Sequence, residues 1–176
     1  MISVKIMKKY LKNDILMLLA AGILIFIDQF TKYLISTNLE PENKRIVIWD
    51  GVFQIISHKN TGAAWGMFSD NTGALTIVTF FILALIVFVY IKIKWEYKRL
   101  RSLKYICTLV FAGAIGNMID RIRLKYVVDF LYFELIDFPV FNIADCYITV
   151  SMILMLILII FYYKDEDFDL LWPKKS

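Results

Sequence analysis

The chain has 176 residues, of which 60% are hydrophobic and 16% aromatic, and its mean hydropathy is +0.65. A soluble domain of this size cannot hide so much apolar surface, so a water-soluble fold is excluded and the bilayer is read as the solvent. The formal net charge is +4, but the basic residues flank apolar runs, so they point to membrane orientation and not to a nucleic-acid partner.

A single membrane domain spanning residues 1–176 is predicted, with four apolar runs each near the roughly 20 residues that cross a hydrocarbon core. Lys5, Lys8, Lys9 and Lys12 precede the first, at about 14–35. Its basic start and apolar middle resemble a cleavable signal sequence. No small-residue cleavage pattern follows, however, and Asp28-Gln29-Phe30-Thr31-Lys32 ends the run, so a retained helix is predicted. The connection that follows, at 36–71, contains Arg45-Ile46-Val47-Ile48-Trp49, then Asp50-Gly51, then Val52-Phe53-Gln54-Ile55-Ile56. That pattern predicts two short strands about an Asp-Gly turn, with Trp49 and Trp65 as interfacial aromatics.

The second span is predicted at about 74–91 and the third at about 103–119. Lys92, Lys94, Lys98, Arg99, Arg101 and Lys104 fill the short connection between them, where Trp95 and Tyr97 read as inner-boundary anchors. A mixed connection with Arg123, Lys125, Asp129, Glu134 and Asp137 leads to the fourth span at about 141–163, after which come Lys164, Lys174 and Lys175. The distribution of Lys and Arg puts both termini and the middle connection in the cytoplasm and two loops outside. Helices are required, because lipid cannot satisfy open backbone groups.

The polar residues of the spans gather at one level. Asp28 lies near the outer end of the first helix, Asn117, Asp120 and Arg121 at the outer end of the third, and Asn142 and Asp145 at the start of the fourth. Asp28 and Lys32 are four apart and can pair; Gly113, Asn117 and Asp120 share a helix face, as do Asn142, Asp145 and Thr149. Ala112 and Gly116 form a small-xxx-small pair that permits close helix approach. Structural roles are expected for Asp28 with Lys32 as an ion pair, Asp120 with Arg121 as a clamp on the following loop, and Asn117 and Asn142 as braces. Asp129 and Asp145 sit among apolar neighbours with no such explanation, and the residues alone leave a functional and a structural role equally open for them.

Other chemistries find little support. The chain has one histidine, His58, and two cysteines, Cys107 and Cys146, placed towards opposite faces of the bilayer, so neither a metal site, a disulfide nor Ser-His catalysis is expected. No phosphate-binding Gly-rich loop occurs, and no cofactor is expected. Paired carboxylates remain: two close together cannot both ionise easily, so one keeps a proton while the other activates water. Two rival readings are a small transporter, which would need polar groups through the bilayer depth, and a scaffold that uses the small-residue face of the third span.

Five blocks, in order, carry a resemblance: Asp28-Gln29-Phe30-Thr31-Lys32; Asn60-Thr61-Gly62-Ala63-Ala64-Trp65-Gly66; Gly113-Ala114-Ile115-Gly116-Asn117-Met118-Ile119-Asp120-Arg121; Val127-Val128-Asp129-Phe130; and Phe141-Asn142-Ile143-Ala144-Asp145. Along essentially its whole length the chain resembles the lipoprotein signal peptidases (signal peptidase II). The resemblance implies an all-α membrane protein of four transmembrane helices with a small extracytoplasmic β-cradle over about 44–68. It implies an aspartic endopeptidase of the bacterial cytoplasmic membrane that cleaves diacylated prolipoproteins before a diacylglyceryl-modified cysteine and is blocked by globomycin-type inhibitors. By the same resemblance the dyad falls on Asp129 and Asp145, and the supporting or substrate-binding residues on Asp28, Lys32, Asn60, Gly62, Asn117, Asp120, Arg121 and Asn142; a monomer is expected. Two positions depart from the family pattern: Cys146 stands where serine is common, and Trp65 where phenylalanine is common.

Overall fold

In the computed structural model the described residues are 4–39, 44–62 and 72–172. Trp65, the rest of 63–71, Glu40, Glu42, Lys174 and Lys175 lie outside them. Among these residues five α-helices, α1 (Val4–Asn38), α2 (Thr72–Lys92), α3 (Arg101–Leu124), α4 (Ile143–Phe161) and α5 (Asp165–Asp169), accompany three strands, β1 (Ile46–Trp49), β2 (Phe53–Asn60) and β3 (Val127–Tyr132). Helices α1 to α4 coincide with the four predicted spans and are long and apolar enough to cross a membrane. At 35 residues, α1 is roughly 50 Å long, so it outreaches a hydrocarbon core of about 30 Å. It begins ten residues before the expected boundary because the Lys-rich run continues the helix.

The bundle is built around α3. Both α1 and α4 pack against it, α2 packs against it from another side, and α2 touches neither α1 nor α4 as extensively. Half of the apolar window containing α3 is buried, against 6–11% for the other three spans, so α3 is the axis and the others present their Leu, Ile and Phe side chains to lipid. Glycine makes this possible. A Cβ on Gly113 would lie 2.5 Å from the carbonyl oxygen of Ala144, and one on Gly116 would strike the Asp28 carboxyl. The close approach expected of Ala112 and Gly116 is thus made at Gly116 towards both α1 and α4, and Gly113 adds a contact with α4.

The sheet has the order β1-β2-β3, all antiparallel. The predicted turn is present, with Gly51 at φ +66, a backbone conformation that glycine adopts at no steric cost. The third strand departs from expectation: Asp129, read as a loop residue, lies in β3. Val127 to Phe130 are buried consecutively, so the alternation that marks a strand is absent, and the partner strand lies some seventy residues earlier. Leu131 also bridges to Phe141, whose carbonyl oxygen accepts from the backbone N–H groups of Phe130 and Leu131 at 2.9 and 2.8 Å. That bridge sets Asp129 beside Asn142, just ahead of α4.

The other end of the bundle is closed by polar ties that the sequence did not disclose. Trp95, expected as an interfacial anchor, is buried and donates its indole N–H to Asp14 Oδ1 at 2.7 Å. Tyr90 and the buried Lys104 donate to the same oxygen at 2.7 and 3.2 Å. Arg99 pairs with Asp167 of α5 at 2.8 Å, holding the last helix against the bundle. Cys107 and Cys146 are free thiols.

Candidate active site

The predicted polar residues converge where α1, α3, α4 and the sheet meet. Lys32 of α1 is 2% exposed, and its ammonium has three donors. They reach Asp28 Oδ2 at 3.0 Å, Asp120 Oδ2 at 2.9 Å and Asn117 Oδ1 at 2.9 Å. Asp28 Oδ1 accepts from the backbone N–H of Ala144 at 3.0 Å, which ties α1 to the first turn of α4. Asp120 Oδ2 accepts from the backbone N–H of Val128 at 3.2 Å, which ties the end of α3 to β3. Gln29 joins the same network through Asp120 Oδ1 at 3.0 Å and the Gly116 carbonyl at 3.1 Å.

Asn117 carries the network inward to Asp145. Its Oδ1 accepts from Lys32 and from Asn142 Nδ2 at 3.0 Å, so its Nδ2 is the end that donates to Asp145 Oδ1, at 2.8 Å. Asp145 Oδ2 accepts from the backbone N–H of Asn142 at 3.1 Å while Asn142 Oδ1 accepts from the Asp145 N–H at 3.0 Å, a reciprocal cap on α4. The same Asn142 donates its Nδ2 to Asp129 Oδ1 at 2.6 Å, and Asn60 Nδ2 donates to Asp129 Oδ2 at 2.7 Å. All four carboxylate oxygens of Asp129 and Asp145 are therefore held by amides, and Asn142 touches both residues. Gly62 donates its backbone N–H to Asn60 Oδ1 at 2.9 Å, which fixes the end of that amide facing Asp129.

Asp129 is 1% exposed. Burial, and next the nearby Asp145, push its carboxyl up to about 7, while the amides of Asn60 and Asn142 oppose the shift. Both aspartates border a cleft of about 1390 Å³ running from the sheet down between α2 and α4 over the face of α3, with Thr79, Ile82, Val110 and Ile148 among its apolar walls. Among the described residues no group of three His, Cys, Asp or Glu side chains is placed to hold a metal ion.

The model of the signal peptidase II family matches residues 20–161 of this chain. The chain belongs to the signal peptidase II family. The lipoprotein signal peptidase of Shouchella clausii is 40% identical over 84% of this chain and 95% of its own. Those of Staphylococcus haemolyticus and Staphylococcus carnosus are each 40% identical, over 86% and 88% of this chain and 94% and 96% of theirs. Two solved structures of bacterial membrane enzymes superpose with a TM-score of 0.70. One is 32% identical, covering 91% of this chain and 92% of that one; the other is 34% identical, covering 84% and 94%. A multi-pass membrane peptidase follows from this membership, and the four-helix architecture agrees with it.

Within this signal peptidase II chain, the residues singled out from sequence fall together with one exception of pairing. Among the described residues Lys32, and not the neighbouring Arg121, pairs with Asp120; the Arg121 Nε is buried with no hydrogen-bond partner among them, and the side chain borders the cleft. The clamp on the following loop is thus made by Asp120 alone. Gln29 is the network member given no role from sequence; its place within the Asp28 to Lys32 block was the available signal.

Proposed function

We propose that the protein is an aspartic endopeptidase that removes signal peptides from diacylglyceryl-modified prolipoproteins, with Asp129 and Asp145 as its catalytic dyad. The observation that carries this reading is the shared cleft: two aspartates bordering one cavity, joined through Asn142, with every carboxylate oxygen oriented by an amide. Asp145, on the first turn of α4, meets the amide-rich end of that helix, where negative charge is favoured. Asp129, in a desolvated strand, is the carboxyl that holds the shared proton up to about 7.

In this mechanism ionised Asp145 takes a proton from a water molecule as its oxygen bonds to the scissile carbonyl carbon. Asp129 gives its proton to the carbonyl oxygen. Asp145 then gives the proton it took to the departing amide nitrogen, Asp129 takes one back from a hydroxyl of the tetrahedral adduct, the C–N bond breaks, and the dyad returns to its starting state with one proton. Asn60, Asn117 and Asn142 hold the carboxyls in line, and Arg121, whose Nε has no hydrogen-bond partner among the described residues, offers a donor to a peptide carbonyl. Neither Asp28 nor Lys32 touches the reacting atoms; with Asp120 they brace the three helices and the strand that carry the dyad.

The cleft opens between α2 and α4, and its apolar lower walls suit the acyl chains of a substrate entering sideways from lipid. Cleavage just before the lipidated cysteine follows if those chains seat below the dyad. With both termini cytoplasmic, by the Lys and Arg distribution, the dyad lies towards the outer face of the bacterial cytoplasmic membrane. A globomycin-type inhibitor would compete for the same cleft. One chain supplies every group named, so a monomer suffices.

The test is cleavage of a diacylated prolipoprotein by the purified protein, repeated with Asp129→Asn, with Asp145→Asn and with an unlipidated precursor. Cleavage by the wild type alone, on lipidated substrate alone, is expected. Activity retained in either variant removes the dyad, and equal cutting of the unlipidated precursor removes the acyl-binding role.

A further inference from the structure

A hydroxyl inside a membrane-spanning helix commonly bonds back to the carbonyl one turn earlier, because lipid offers it no partner. Thr76 and Thr79 of α2 do so, donating to the Thr72 and Leu75 carbonyls at 2.7 Å each. Thr108 of α3 donates to the Lys104 carbonyl at 2.8 Å, and Ser151 of α4 to that of Tyr147 at 2.6 Å. Thr149 departs from this habit. Its hydroxyl has no hydrogen-bond partner among the described residues, and its side chain is exposed on the wall of the cleft that holds Asp129 and Asp145.

The place of Thr149 gives that hydroxyl a use. It lies four residues after Asp145 on the same face of α4, about 6 Å further along the helix and deeper in the bilayer. The Cα–Cβ bonds of a helix tilt towards its N-terminus, so the Thr149 side chain leans back towards the dyad. Polar groups around it are committed elsewhere: Thr79, across the cleft, to Leu75, and Asn117 and Asn142 to the dyad itself. Cys146 carries only a weak donor. Thr149 is therefore an open donor between the polar level of the dyad and the apolar walls of Ile82, Val110 and Ile148.

We propose that Thr149 is a specificity-determining residue: its hydroxyl donates to an ester carbonyl of the diacylglyceryl group when the scissile bond lies at the dyad. The inference rests on the peptidase reading and names the substrate atom that this wall recognises. The ester carbonyls hang from the cysteine sulfur through the glycerol carbons, so a peptide bond held at Asp129 and Asp145 leaves them about one helix turn lower. An ester carbonyl accepts and never donates, and in hydrocarbon it lacks a partner as a lone hydroxyl does. Joining the two satisfies both. It also distinguishes an acylated glycerol from an alkylated one, whose ether oxygens present no carbonyl. The bond forms on binding and persists through the reaction, so it acts on KM and hardly on kcat.

The test uses two synthetic prolipoprotein peptides, one with a diacylglyceryl cysteine and one with a dialkylglyceryl cysteine of equal chain length. Both are given to the full chain in detergent micelles as wild type, Thr149→Val and Thr149→Ser. One net hydrogen bond corresponds to about three- to tenfold, so the wild type should prefer the diester by that factor in kcat/KM, through KM. Thr149→Val keeps the shape without the hydroxyl, and the ratio should fall towards one. Thr149→Ser keeps the hydroxyl and should retain the preference. Competitive binding of the two peptides to Asp129→Asn, with and without Thr149→Val, reads the same ratio without cleavage. Failure of the wild type to cleave thus counts against the peptidase, while the binding ratio still decides the role of Thr149. A diester preference that persists in Thr149→Val, or is lost equally in Thr149→Ser, overturns the inference. So does a wild type that treats the two lipids alike.

Discussion

Replacing Lys32 with methionine removes one ammonium and keeps the length of an unbranched apolar side chain. Lys32, Asp28 and Asp120 are 2%, 0% and 3% exposed, and the ammonium is bonded to both carboxylates and to Asn117 at 2.9–3.0 Å. Breaking a buried ion pair by removing one partner costs about 3–5 kcal/mol, because the charge left behind has neither water nor counter-ion. Here two carboxylates are left, partly compensated by the Ala144 and Val128 N–H groups and by Gln29, so the same range is expected and not its double. For a chain of this length that corresponds to a fall of about 6–20 °C in melting temperature. Thermal unfolding in detergent, followed by circular dichroism, measures it. The double variant Lys32→Met/Asp28→Asn should recover about 1–3 kcal/mol, since one of the stranded charges is gone. Activity should fall in both, because Asn117 loses the donor that orients its amide towards Asp145. A loss below about 1 kcal/mol in Lys32→Met, or a double variant less stable than the single one, would refute the view that this lysine neutralises the junction.

The cleavage rate should decline as pH rises through about 7, where Asp129 releases the shared proton; stopped assays across pH 5–9 would show a flat profile if that proton is not needed. The Asn60 amide favours the ionised form of Asp129, so Asn60→Ala should move this limb upward by about one pH unit, and a downward move would contradict the assignment. Gly116→Ala should cost about 1–3 kcal/mol by overpacking, because its Cβ meets the Asp28 carboxyl and lies 3.3 Å from Ala144 Cβ. Gly22→Ala, with nothing within 4 Å, should cost nothing, and equal melting temperatures for the two variants would argue against tight packing of α1 on α3.

The junction at Lys32 also shows how far the residues themselves could be read. The pairing of Asp28 with Lys32 was legible because four-residue spacing on a helix is local geometry, and the family motifs marked Asn60, Asn117 and Asn142 as supporting groups. That Lys32 would take Asp120 from its own neighbour Arg121 was not legible, since adjacent helical residues point apart and the winner depends on which helix lies alongside. Lys104 and Trp95 looked like an inner-face charge and an interfacial anchor; Asp14, some eighty to ninety residues away in sequence, draws both inside.

By itself the sequence determined the four spans, the Asp-Gly hairpin and the identity of the polar residues, because hydrophobic runs and turn chemistry are local and lipid leaves helices as the way to satisfy the backbone. The tertiary structure decided the rest. It made a strand of Val127–Tyr132, bridged that strand to Phe141 so that Asn142 reaches both aspartates, and shifted the β2 register so that His58 faces Asp129. Those outcomes rest on contacts between distant segments, whose register is set by packing and hydrogen-bond satisfaction across the whole bundle and not by any pattern a short window contains.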